Sequence, residues 1–113
     1  MRQTALERQA ELIATLLFQI KALNLPEPER EFKFHSRRKF RADLGWPGRQ
    51  RLLLELQGGT HTRGAHVRGV RYEEDCERMA FAVYEGWRVI WVTPRMVEDG
   101  RAVGWLERLL KRE

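Results

Sequence analysis

KFRADLGWPGRQRLLLELQGG, residues Lys39–Gly59, sets two short strand-like runs on either side of a turn. Lys39–Trp46 is the first run, and Trp46-Pro47-Gly48 is a strong turn signal. Arg51–Gln57 is an apolar run of strand length, closed by Gly58-Gly59. Two acids stand inside these runs, Asp43 in the first and Glu55 among the leucines of the second. Side chains alternate along a strand, so Glu55 and Gln57 point one way and Leu52, Leu54 and Leu56 the other. The leucine face is suited to packing under helices. A carboxylate on an apolar strand is costly unless it is paired or binds a metal. If the strands are neighbours, Asp43 and Glu55 converge into a pair of hard oxygen donors suited to Mg2+ or Mn2+. Two alternatives stay open: Asp43 can pair with Arg41 or another arginine, and Glu55 can face solvent on an edge strand.

Working outward, Arg30–His35 reads as a further strand, joined to Lys39–Trp46 by the basic connection Ser36-Arg37-Arg38. Together the three runs predict an antiparallel meander. Before them, Gln3–Leu23 has the spacing of an amphipathic helix through Leu6, Ile13, Leu16, Leu17, Ile20 and Leu23. Thr4 and Glu7 stand in capping-box positions, and Pro26 and Pro28 stop the helix. After the meander, Thr60–Gly69 is polar and glycine-bearing and reads as a mobile loop. Arg71–Glu85 predicts a helix with Cys76, Met79, Ala80, Val83 and Tyr84 inward, ended by Gly86. Trp87–Thr93, WRVIWVT, is the clearest strand, with Trp87 and Trp91 on one face as core or dimer-interface residues. A short turn from Pro94 and a helix over Ala102–Arg112, with Val103, Leu106, Leu109 and Leu110 inward, complete the chain.

The resulting order is α-β-β-β-α-β-α, an α/β fold with a mixed central sheet flanked by helices. The strand after the crossover helix is expected to run parallel to its neighbour. With 113 residues, one domain covering 1–113 is expected. A domain of this size buries only roughly 65% of its unfolded surface, so a dimer interface is a useful supplement.

The net charge is +5 and most basic residues are arginine, which pairs with phosphate through a planar fork. That balance favours a polyanionic partner. An arginine-rich chain whose one asparagine is Asn24 also fits a GC-rich or thermophilic source. His61, His66 and Cys76 lack the paired spacing of a structural zinc site, and Cys76 is expected to be a small buried hydrophobe on a helix. No apolar run approaches the ~20 residues that span a bilayer. The charged N-terminal stretch is unlike a signal peptide. A soluble, cytoplasmic protein is expected, in the host cell if the chain is phage-encoded.

Basic residues flank the acids on both sides. Arg37, Arg38, Lys39 and Arg41 precede Asp43, while Thr62, Arg63, His66 and Arg68 follow Glu55 in the glycine-rich segment. A cleft with acids on its floor and arginines on its rims would hold a metal at one point and a phosphate backbone around it.

Asp43, then Glu55-Leu56-Gln57-Gly58-Gly59, then His66, Asp75 and Gly86-Trp87-Arg88-Val89, resembles the PD-(D/E)XK nuclease superfamily. Within it, the pattern is similar to phage and archaeal Holliday-junction-resolvase-like members and to very-short-patch-repair-type endonucleases. The resemblance runs from about Glu11 to Gly104 and is most specific over Phe40–Gly59 and Gly86–Thr93. It implies a restriction-endonuclease-like core, a homodimer, and Mg2+ or Mn2+ held by Asp43 and Glu55. Cleavage of branched DNA, such as a four-way junction, is implied too. Glu55 and Gln57 stand where the family has (D/E)-x-K, so Gln57 takes the place of a lysine that orients the attacking water. Ala42 replaces the proline that often precedes the aspartate. The resemblance further implies a glutamate on the first helix, with Glu11 as the choice and Glu7 then Glu31 behind it. His66 is expected to assist the leaving group or bind phosphate. Arg37, Arg38, Lys39, Arg41, Thr62, Arg63 and Arg68 are expected to bind DNA.

Overall fold

The computed structural model describes residues 3–57 and 65–111, with 65–70 described in backbone alone. Its elements are α1 (Ala5–Ala22), β1 (Glu29–Lys33), β2 (Arg41–Trp46), β3 (Leu52–Leu56), α2 (Ala65–Tyr84), β4 (Arg88–Val92), α3 (Pro94–Glu98) and α4 (Arg101–Leu110). They form an open four-stranded mixed sheet in the order β1-β2-β3-β4. The first three strands pair antiparallel, and β4 runs parallel to β3 after the α2 crossover.

The meander follows from its turns. Gly48 adopts φ 79° between β2 and β3, a conformation that costs glycine little. Gly45 on β2 lies under the Phe32 ring of β1, where a Cβ would overlap it. Thr4 caps α1 in a complete capping box with Glu7, with hydrogen bonds of 2.8 and 3.0 Å. Gly86 ends α2 in the left-handed region at φ 82°.

The two faces of the sheet are covered differently. Leu52 and Leu54 of β3 and Val92 of β4 pack with Leu44 and Trp46 of β2 under α1, α3 and α4, with Leu56 packed against this core. Leu12, Ile13, Leu16 and Ile20 come from α1, and Val97, Val103, Leu106 and Leu110 from the last two helices. On the opposite face, Leu53 and Trp87 pack with Phe34, Ala42 and Ala82 of α2. Phe32, Phe40 and Val89 join them from the margin.

Several expectations are corrected. The segment expected to be a loop is helical from Ala65, so α2 begins six residues earlier than expected and contains Gly69. A glycine inside a helix costs roughly 1 kcal/mol against alanine, too little to stop a helix of 20 residues. Residues 60–64 of that expected loop, with Thr62 and Arg63, lie outside the described residues.

The inward face of α2 is also different. Met79 and Ala82 turn toward the sheet, while Cys76, Ala80, Val83 and Tyr84 are exposed. The rotation brings the polar residues Asp75 and Arg78 over β3. Leu6 and Leu23 of the first helical pattern are exposed, and Leu12 takes an inward position instead. Trp87 is core, but Trp91 is partly exposed and donates its indole N–H to Met79 Sδ at 3.0 Å. Among the described residues no helix is long and apolar enough to cross a membrane.

Candidate active site

Asp43 and Glu55 lie one residue beyond the last paired rung between β2 and β3, Leu44↔Leu54. There the backbone ladder gives way to a side chain: Asp43 Oδ2 accepts the Leu56 N–H at 2.7 Å. Asp43 Oδ1 accepts from the Gln9 amide at 3.0 Å, which ties α1 to the same spot. Glu55 is only 5% exposed, the one buried charged residue among those described. Its carboxylate is paired with the Arg78 guanidinium, which also binds Asp75 at 2.6 Å.

These groups line one cleft of about 330 Å3. Asp43, Glu55 and Gln57 come from the sheet, Gln9 from α1, and Arg71, Glu74, Asp75 and Arg78 from α2. Arg41 stands at the β2 edge of the cleft and pairs with Glu31 at 3.6 Å. Four carboxylates thus share the space with three guanidinium groups.

The electrostatics of the floor follow from burial. Glu55 is pushed up from 4.5 to about 7, chiefly by loss of solvation, with Asp43 and Asp75 adding repulsion and Arg78 opposing it. Burial also holds Asp43 above the usual aspartate range, against the Leu56 N–H, Arg78 and Gln9, which favour its charged form. Burial disfavours the Arg78 cation, but the hydrogen bonds and charges of Glu55 and Asp75 more than offset this and raise its pKa. The cations present therefore leave the two floor acids short of compensating charge.

No family model matches the chain, and neither a curated protein nor a solved structure matches it.

The structure brings four of the expected site residues together: Arg41, Asp43, Glu55 and Gln57 line one cleft. The solvent-facing alternative for Glu55 does not hold, and the partner of Asp43 is Gln9 rather than an arginine. Glu11 is exposed and is not among the cleft-lining residues; Gln9, two residues earlier, supplies the contact from α1. Glu7 is used in the helix cap, and Glu31 stands at the rim paired to Arg41. His66 and Arg68 belong to α2, but their side chains lie outside the described residues. Arg37, Arg38 and Lys39 are exposed on the β1–β2 connection.

The ion triad Glu55–Arg78–Asp75 is missed by the sequence reading, in which Asp75 enters only as part of the motif. Its signal was the i,i+3 spacing of an acid and an arginine on the crossover helix.

Among the described residues no group of three or more His, Cys, Asp or Glu side chains is arranged as a ready metal site. A hard divalent cation such as Mg2+ does not require one. It commonly takes one or two carboxylates and completes its shell with water and substrate phosphate. Asp43 and Glu55 are of that donor type. The residues present fit such an ion.

Proposed function

We propose that the chain is a metal-dependent DNA endonuclease with a restriction-endonuclease-like core. The observation that carries this is the convergence of Asp43 and Glu55, from adjacent strands, with Gln57 in one arginine-rimmed cleft. The order of elements and the β2–β3 acids agree with the resemblance to PD-(D/E)XK nucleases.

In this reading Asp43 and Glu55 hold Mg2+ or Mn2+. An ion held there would supply a more acidic water and positive charge at the scissile phosphate. The chain's own groups do the rest. Gln57 shares the strand face of Glu55, and its amide carries both a donor and an acceptor with which to orient the attacking water. Gln9 and the Leu56 N–H fix the Asp43 carboxylate, so its orientation needs no reorganisation. Arg78 holds one oxygen of Glu55 and favours its charged form, offsetting part of the cost of burial. Arg41 and Arg71, at the edges of the cleft, are placed to bind phosphates on either side of the scissile bond. The protein acts as a homodimer on branched DNA, whose two-fold character suits a two-fold protein, in the cytoplasm.

A second reading is favoured by the Glu55–Arg78 pair, which already gives the buried acid a partner. On that reading the fold binds DNA without cutting it, and Gln57 marks the lost lysine.

Cleavage of a labelled four-way junction and of linear duplex, each with Mg2+ and with chelator, tests both. The endonuclease reading expects Mg2+-dependent product, with the junction preferred. Binding without product under any metal condition overturns it in favour of the binding module.

A further inference from the structure

A second concavity, of about 510 Å3, lies beside the acid cleft, between the β1–β2 connection and the C-terminal part of α2. Three of its seven lining residues carry rings, His35, Phe81 and Tyr84. The His35 ring stands edge-on to Phe81, with centroids 4.9 Å apart, and Tyr84 lies 6.3 Å beyond Phe81. Tyr84 is 84% exposed although it is a large ring on a helix.

The rim is charged. Arg38 stacks over Phe40 and Phe81 at 4.5 and 5.3 Å and pairs with Glu77, so its position is set. Arg37 has no ion pair among the described residues. Its backbone is nonetheless fixed, because His35 Nδ1 accepts the N–H groups of Arg37 and Arg38 at 3.0 and 2.9 Å. Glu85 contributes a carboxylate 3.7 Å from His35 Nε2.

We propose that this concavity is a subsite for an unpaired nucleobase of the DNA, stacked on Tyr84 beside Phe81, with its phosphate on Arg37. A duplex backbone would use several free cations and no ring faces. An apolar peptide would leave Arg37 without a partner. A nucleotide matches all three features: a flat ring, an anionic phosphate, and exocyclic amino groups that a carboxylate accepts. Its place on the helix also fits. Phe81 and Tyr84 lie three and six residues beyond Arg78, about 5 and 9 Å along α2 at 1.5 Å per residue. That is about one to three stacked nucleotides at 3.4 Å each. The substrate is then a branched or flapped duplex with unpaired bases next to the cut. This deepens the endonuclease reading and rests on it for the neighbouring cleft.

The test uses the full chain in chelator, so that nothing is cut, and two probes: a blunt duplex and the same duplex with a short unpaired arm carrying 2-aminopurine. The armed duplex should bind about tenfold more tightly, and the 2-aminopurine emission should be quenched on binding as the base stacks. Tyr84→Ala should remove most of that roughly tenfold preference, within the scale of one base–aromatic stack, and leave the blunt duplex unchanged. Tyr84→Phe should keep the preference, which shows that the ring is what matters. Equal affinity for the two probes, or a preference and quenching that survive Tyr84→Ala, overturns the subsite. Absence of binding to either probe overturns it together with the endonuclease reading. Mg2+-dependent cleavage without the preference would sink the subsite alone, and the preference without cleavage would sink the endonuclease reading alone.

Discussion

The two faces of the sheet are built to opposite specifications. Among the described residues, fifteen buried side chains form the core under α1, α3 and α4, against five on the α2 face. The first face is closed and apolar. On the second, one helix covers the sheet, and its inward line carries Asp75 and Arg78 where a closed core would place leucines. The difference shows how a small domain houses buried charge. One face supplies the hydrophobic stabilisation, and the other can then carry carboxylates whose desolvation works against folding.

The largest expected effect separates the faces by activity. Asp43→Asn and Glu55→Gln should each lower single-turnover cleavage by about 10³-fold or more, the several kcal/mol that a metal contributes to the transition state. DNA binding in chelator should stay nearly unchanged. Cleavage at the parental rate in either variant would remove the α2 face from the chemistry.

Gln57→Ala should cost a factor of about 10²–10³ in the same assay, the usual effect of losing one preorganised donor. Gln57→Lys should retain measurable cleavage. A parental rate in Gln57→Ala would make Gln57 a bystander and return attention to His66.

On the closed face the effect should be on stability alone. Leu54 is fully buried, and Leu54→Ala should cost about 2–5 kcal/mol in urea unfolding. The folded fraction should cleave normally. If Leu54→Ala unfolds at the parental denaturant midpoint, the leucine face does not supply the stabilisation assigned to it.

The smallest effect concerns pH. Glu55 holds its proton more tightly folded than unfolded, with a pKa of about 7 against 4.5. Its contribution is therefore complete below pH 4.5 and is lost as pH rises toward 7, by up to about 3 kcal/mol at about 1.4 kcal/mol per pH unit. Glu55→Gln should flatten that part of the profile in denaturant midpoints measured between pH 5 and 8. The raised value of Asp43 acts with the same sign. Stability rising over that range in the parent would contradict the burial argument. Mg2+ affinity should run the other way, weakening below pH 7 as proton and ion compete for the carboxylate.

The sequence by itself determined the elements whose signals are local. Thr4 and Glu7 mark the start of α1, Gly48 the β2–β3 turn, Gly86 the end of α2, and alternation along Arg51–Gln57 assigns Leu52, Leu54 and Leu56 to one face and Glu55 with Gln57 to the other. Those signals depend on neighbours a few residues away, so they can be read along the chain. The parallel placement of β4 was legible for a similar reason, since a crossover helix separates it from β3.

The tertiary structure alone decided which face of α2 turns inward. Its sequence offers an apolar stripe through Cys76, Ala80, Val83 and Tyr84, yet that stripe is exposed. Orientation was set by partners distant in sequence, with Arg78 reaching Glu55 across 23 residues and Ala82 meeting Leu53 and Trp87. The choice of Gln9 over Glu11 is of the same kind, because it depends on how α1 lies across the end of β2. A periodic pattern fixes which residues share a helix face, but the charge and shape of the surface opposite determine which face is buried.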